Sequence, residues 1–278
     1  MKNLQLGLSP CPNDTYIFFG LIHNKIDTKN FQIIPIFDDV EQLNAMALQG
    51  IPEICKMSFH TYAKLSENYQ LLTSGSAFGM GQGPMLVSKR KIYYDEIPFI
   101  KIAVPGLNTT AMMLLQLEFA NLSKIEEYLF SDIEDVVLSE QCDAGLIIHE
   151  SRFTYQSKGL QKLVDFGELW SKQYNLPIPL GGIAVKRDMD ESVKQAINNM
   201  VFQSIVFAHN NLKQVMPFVK QYASEMEESV LMQHIHTYVN KYTLQLEDEG
   251  KLALRQFFNE GKKNGFIDTV TEPIFVPL

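Results

Sequence analysis

The amino-acid sequence predicts an α/β protein of two lobes, with a cleft between them and a helical C-terminal region. Apolar runs of strand length alternate with segments of helical periodicity, the pattern of α/β folding with largely parallel sheets. The alternation occurs twice, in residues 1–90 and again in 100–180, and an almost wholly helical stretch follows Asp190. Polar clusters follow several strand ends, which is where ligands sit in open α/β sheets.

Leu4–Leu8 alternates and reads as a strand. Pro12 sits just inside the next segment, where a helix tolerates it, and Asn13 and Asp14 suit a first turn whose free N–H groups point outward. Residues 13–23 then read as a helix. Phe31–Phe37 is the second strand. Asp38, with Glu41 three residues on, reads as a capping box; Val40, Leu43 and Ala47 give helical spacing, and Gly50 is the expected stop. Ile54–Ser58 and Tyr69–Leu72 are strands, and the glycine-rich residues 75–84 form a loop before the strand Met85–Lys89. Lys101–Val104 leads through a Pro105-Gly106 turn into a helix running from Asn108-Thr109-Thr110 to Phe119. Ser131 and Glu134 suggest a second capping box, ahead of a helix near 133–140. Ala144–Ile148 is an apolar strand ending in His149-Glu150. Gly181–Lys186 is the last strand. Helices are expected near 191–208, 217–226, 228–242 and 247–263, with Gly265 as the stop. There is no internal repeat.

With 278 residues, 46% apolar and 20% charged, the chain has the composition of a globular protein of about two domains. A net charge of −8 argues against a nucleic-acid partner. No apolar run reaches the length of a membrane-spanning helix, and Met1–Leu8 lacks the features of a secretory signal, so a cytosolic chain with no membrane partner is expected. Cys11, Cys55 and Cys142 are widely spaced and read as free thiols, neither a disulfide framework nor a metal pattern.

Four polar clusters carry the candidate chemistry. His149 ends an apolar strand; it is either a proton-transfer group, for which imidazole is well matched near neutral pH, or a structural histidine. Glu150 points to the opposite face if the strand continues, and Ser151-Arg152-Phe153 rule out a zinc-protease motif. Lys56 follows a buried-looking strand, where an ammonium can hold an anionic group or merely snorkel, with Ser58 a hydroxyl in the same cleft. Thr109-Thr110 is an anion site at a helix start or a plain N-cap. Gly79, Gly81 and Gly83 precede a strand, not the helix a dinucleotide loop needs. His234 and His236 are two apart on a helix and face different directions, which argues against a metal site.

The stretch SPCPNDTYIF at 9–18 resembles the N-terminal signature of the 1,4-dihydroxy-6-naphthoate synthase family of the futalosine route to menaquinone. KMS at 56–58, SGSAFGMGQGP at 74–84, VPGLNTTA at 104–111 and DAGLIIHES at 143–151 resemble that family in the same order. The resemblance implies a periplasmic-binding-protein-like (type II) fold: a larger lobe from residues 1–98 and 181–278, and a smaller one from 99–180. It implies a carbon–carbon lyase that turns cyclic dehypoxanthine futalosine, a carboxylated bicycle, into 1,4-dihydroxy-6-naphthoate with loss of a three-carbon fragment. It implies no cofactor and no metal. The proton acceptor maps onto His149, and substrate contacts map onto Lys56, Met57, Ser58, Thr109 and Thr110. Ser9, Asn13, Asp14 and Thr15 are then expected to line the cleft as polar contacts, with Cys11 as packing because no histidine is assignable beside it. Chorismate dehydratase of the same pathway and a non-catalytic small-carboxylate-binding protein are the alternatives. The sequence leaves the oligomeric state open.

Overall fold

The computed structural model describes residues 2–223 and 227–277. Strands β1 (Lys2–Leu8), β2 (Phe31–Phe37), β3 (Ile54–Ser58), β4 (Tyr69–Leu71) and β5 (Ala77–Gly79) join β11 (Ile178–Lys186) in one sheet, ordered β2-β1-β3-β11-β4 with β5 beside β11. Strands β6 (Met85–Ser88), β7 (Lys101–Val104), β8 (Lys124–Glu127), β9 (Ala144–Ile147) and β10 (Gln161–Asp165) form the other, ordered β10-β6-β9-β7-β8. Between the strands lie α1 (Pro12–Ile22), α2 (Val40–Leu48), α3 (Phe59–Lys64), α4 (Thr110–Glu118), α5 (Ile133–Leu138), α6 (Ser151–Thr154) and α7 (Phe166–Tyr174). The C-terminal region is α8 (Glu191–Asn210), α9 (Leu212–Tyr222), α10 (Glu228–Tyr238), α11 (Lys241–Leu244) and α12 (Asp248–Lys263).

The sheets are mixed rather than largely parallel. β1 runs parallel to β2 and β3, and β7 runs parallel to β8 and β9, as βα crossovers require. β6 and β11 follow no such crossover in their own sheets, and they pair antiparallel to their neighbours. The range 99–180 holds β7–β10, but their sheet also takes in β6 from residues 85–88, before that range begins.

One apolar core packs Leu4, Leu6 and Leu8 of β1 against Phe18 of α1 and Val201 and Ile205 of α8. Residues Pro12–Leu21 of α1 are all buried, so this helix is enclosed and its polar residues must be satisfied internally. A second core runs from Met57 and Phe78 of the first sheet to Leu86 and Ile102 of the second, tying the lobes together.

Several boundaries differ from the sequence reading. Asp39, not Asp38, caps α2, accepting from the N–H groups of Glu41 (2.8 Å) and Gln42 (3.2 Å). Glu41 is thereby free to reach the other lobe, where it accepts from Asn108 Nδ2 at 2.6 Å. Ser131 makes no capping box; its hydroxyl donates to Asp132. The expected helix 217–226 is α9, which begins earlier, at Leu212, and carries Pro217 within it; residues 224–226 lie outside the described residues. The stretch 228–242 breaks at Asn240, whose side chain caps α11. β8 and β10 were invisible in the pattern because both are edge strands carrying exposed charged residues.

Candidate active site

The cleft is built where β1, β3 and β9 end and α1 and α4 begin. The parallel register of β1 and β3 (Gly7 opposite Cys55) sets Ser9 and the start of α1 beside Lys56. Asp14, in the first turn of α1, is fully buried. Its Oδ1 accepts from Lys56 Nζ (3.0 Å) and Asn13 Nδ2 (3.0 Å), and its Oδ2 from the Ser9 amide (3.1 Å) and hydroxyl (2.8 Å). Four donors saturate a carboxylate, and the ion pair removes the cost of leaving either charge alone in the core. Thr15 turns its hydroxyl back to the Cys11 carbonyl at 2.9 Å.

These contacts divide the sequence-predicted residues. Ser9, Asn13, Lys56, Met57, Ser58, Thr109, Thr110 and His149 all border one cavity of about 100 Å³. Asp14 and Thr15 do not: Asp14 orients the neighbours that do, and Thr15 closes the first turn of α1. Met57 borders the cavity beside Lys56 and Ser58, but strand alternation turns its side chain into the core. Ser58 is held by Asn44 of α2, which accepts from its amide at 3.0 Å and donates to its hydroxyl at 3.2 Å.

Thr109 is the N-cap of α4. Its hydroxyl accepts from the Met112 amide at 3.1 Å and donates to the Gly106 carbonyl at 2.8 Å. The helix start therefore offers a ligand the first-turn N–H groups beside the cavity, at Thr110 and Ala111, rather than the Thr109 hydroxyl.

His149 is half-buried just past β9, with φ of +59°. A non-glycine residue in the left-handed region is held there by its surroundings, and such strain clusters at functional sites. The turn it makes ends the strand, so Glu150 does not continue on an opposite face. Instead Glu150 is buried, with a ligand-type atom within 4.8 Å of those of His149 and His234. Burial pushes the His149 imidazole down to about 4, with Lys56 adding to the effect and Asp14 opposing it. The ring is therefore neutral near pH 7. It packs T-shaped with the Phe130 ring, centroids 4.9 Å apart.

Two residues escaped the sequence reading: His234, which borders the cavity, and Cys11, which contacts the cavity residues Ser9 and His149. Cys11 lies with Sγ 3.7 Å from His149 Nε2, so a histidine does stand beside it. Burial and the Asp14 charge push its thiol well above the usual range, so it is protonated rather than a nucleophile. His234 of α10 is 1% exposed, with Nε2 3.1 Å from Asn13 Oδ1. Its partner in sequence, His236, is exposed, so the helical argument that the two diverge holds. Only three-dimensional packing reveals which one faces inward. The glycine-rich loop closes the far wall. Arg152 bonds the Gly83 carbonyl and pairs with Asp165 at 2.7 Å, and a Cβ on Gly83 would sit 2.6 Å from the Gly167 amide nitrogen.

Comparison with known proteins gives consistent findings. A family profile described as menaquinone biosynthesis matches residues 4–263. The 1,4-dihydroxy-6-naphthoate synthase of Thermus thermophilus is 37% identical over 276 residues, which cover 99% of this chain and 100% of that protein. The protein of the same name from Streptomyces coelicolor is 33% identical over 269 residues, 95% of this chain and 94% of its own. A solved structure from Archaeoglobus fulgidus superposes with a TM-score of 0.91 at 32% identity, covering 95% of this chain and 98% of that one. A Candida albicans protein with the generic periplasmic binding protein fold superposes at 0.67 and 11% identity, covering 100% and 98%, a likeness of fold alone. The fold is therefore periplasmic-binding-protein-like. Among the described residues no helix is long and apolar enough to cross a membrane.

Proposed function

This chain belongs to the menaquinone-biosynthesis family, and from that premise we propose that it is a 1,4-dihydroxy-6-naphthoate synthase with His149 as its proton acceptor. The substrate is cyclic dehypoxanthine futalosine, and the reaction is a carbon–carbon lyase step in the cytosol. One observation carries the reading. An imidazole kept neutral by burial faces the same cavity as Lys56, Ser58 and the start of α4.

The neutral ring takes a proton from the substrate. The electron pair left behind drives carbon–carbon cleavage, and the three-carbon fragment leaves as the second ring becomes aromatic. General base catalysis of this kind contributes about 10²–10⁴-fold. Aromatisation supplies the driving force, so the chain's own residues suffice and no cofactor is invoked. The substrate carboxylate is received by the first-turn N–H groups of α4, which the helix dipole makes favourable for an anion. Lys56 already neutralises Asp14, so it acts through the polar wall it holds in place. Closure of the lobes excludes water and fixes the geometry.

The test is to mix purified protein with cyclic dehypoxanthine futalosine and look for the naphthoate by mass spectrometry. Formation of the product supports the reading. Dehydration of chorismate instead, or binding of the cyclic substrate without turnover, would replace it with the dehydratase or the carrier.

A further inference from the structure

The hydrogen-bond directions around Asp14 decide which nitrogen of each cavity imidazole carries the proton. Asp14 Oδ2 only accepts, so the Ser9 hydroxyl proton is committed to it at 2.8 Å. Ser9 Oγ also touches Cys11 Sγ, and with its own proton spent it can only accept there. The Cys11 S–H therefore points at Ser9. A thiol has one proton, so Sγ can only accept from its remaining neighbour, His149 Nε2, at 3.7 Å. His149 must then carry its proton on Nε2.

The second branch runs through Asn13. Its Nδ2 donates to Asp14 Oδ1 at 3.0 Å, which turns its Oδ1 toward His234. An amide oxygen only accepts, so His234 Nε2, at 3.1 Å, carries the proton. Its Nδ1 is then a lone pair, and that atom is buried with no hydrogen-bond partner. Lys56 anchors the common origin of both branches at 3.0 Å.

We propose that Asp14 is a positioning residue for both imidazoles, acting through Ser9 and Cys11 on His149 and through Asn13 on His234, so that Nδ1 of His149 is the proton-accepting atom. This deepens the reading of His149 as the base and rests on it. It also accounts for the run Ser9–Asp14 as one device: each polar side chain in it either passes on a hydrogen-bond direction or receives one. A carboxylate that reaches its histidine through a hydroxyl and a thiol fixes the tautomer without itself hydrogen-bonding the ring, in keeping with an imidazole that stays neutral. The alternative use of these groups, a metal held by His149, Glu150 and His234, fits less well. Their ligand atoms lie only within 4.8 Å of one another. Ligand atoms on a tetrahedral zinc, with bonds of about 2.0–2.1 Å, are roughly 3.4 Å apart.

Cys11→Ala cuts the first branch without touching the buried ion pair, and Cys11→Ser restores a group that both donates and accepts. Long-range ¹H–¹⁵N spectra of the imidazoles in the intact protein report the tautomer directly. The expected wild-type spectrum has unprotonated Nδ1 on both His149 and His234. In Cys11→Ala, His149 becomes a mixture of tautomers while His234 is unchanged. kcat then falls roughly three- to tenfold, the factor by which loss of one hydrogen bond redistributes the two forms, and KM stays within about twofold because the substrate-binding groups are untouched. Cys11→Ser recovers the spectrum and most of kcat. A wild-type His149 protonated on Nδ1, or a Cys11→Ala spectrum identical to wild type, overturns the inference. A wild-type preparation that makes no naphthoate defeats the reading of the function instead, and the spectra still decide the tautomer.

Discussion

Replacing Lys56 with methionine is the most demanding test of how the cleft is held. In sequence terms this lysine is an anion-binding group, and its loss would show in KM. The structure makes it the counter-ion of a carboxylate with no exposure of its own. Lys56→Met keeps the length and apolar stem of the side chain but leaves Asp14 charged in the core with three of its four donors. Removing one partner of a buried pair costs about 3–5 kcal/mol, a large share of a total stability of roughly 5–15 kcal/mol. At about 2–4 °C per kcal/mol for a domain somewhat smaller than this chain, the melting temperature falls by roughly 6–20 °C. The penalty shrinks as the pH is lowered, because the orphaned carboxyl, now desolvated without a cation, takes up a proton. Calorimetry of the wild type, Lys56→Met and the double variant Lys56→Met/Asp14→Asn checks both points. The double variant recovers part of the loss, because it removes the uncompensated charge. A single variant melting within about 2 °C of the wild type, the change expected for only about 0.5–1 kcal/mol, would refute the reasoning. So would a double variant no more stable than the single.

His149→Ala removes the proton acceptor and lowers kcat by about 10²-fold or more while leaving KM near its wild-type value; steady-state kinetics with more than a tenth of wild-type kcat retained would remove the role. Stability falls on acidification between pH 6.5 and about 4. His60 and His149 are both pushed down to about 4 by burial, so the unfolded chain binds more protons in that window and folding loses ground as pH drops through it. For the fully enclosed His60 this is on the order of 3 kcal/mol, and urea titrations at pH 7 and pH 4.5 read it as a drop in midpoint. In kinetics, the acid limb of kcat/KM reports the free enzyme and lies near 4. The limb of kcat lies higher, because a bound carboxylate raises the proton affinity of the ring; a kcat limb at or below that of kcat/KM counts against an anion bound beside His149.

The regular parts of the fold were legible because local chemistry dictates them. Phe31–Phe37, Ile54–Ser58 and Lys101–Val104 are apolar and β-branched between polar breaks, and the structure has strands at those bounds. β8 and β10 were hidden because an edge strand needs only one buried face and protects itself with charge. The antiparallel entry of β6 and β11 depends on where the chain crosses between sheets, which periodicity does not encode. At the site, residue types at strand ends located Lys56, Ser58 and His149, because the architecture forces strand ends to converge. Cys11 and His234 were missed for a different reason. Each becomes meaningful only through a partner 138 or 221 residues away, and such pairings belong to packing, not to spacing.

The same distinction explains why Asp14 reads one way in sequence and another in space. A polar residue at a helix start after a strand is a natural ligand contact, and sequence reasoning places Ser9, Asn13, Asp14 and Thr15 in the cleft. Yet α1 is enclosed along its length, so a carboxylate in its first turn faces inward and must be fully paired before it can be tolerated. Once paired, it is rigid. Rigidity and donor saturation are what a group needs in order to set hydrogen-bond directions for its neighbours, and they are what a substrate-binding carboxylate lacks. The charge of Lys56 opposes that of Asp14 at His149, so the ring's neutrality is governed by burial and not by either ion. A cavity wall whose charges cancel internally, while its hydrogen-bond directions stay fixed, presents an incoming anion with a neutral base and the open N–H groups of α4. The electrostatic change that strengthens the base then arrives with the substrate itself.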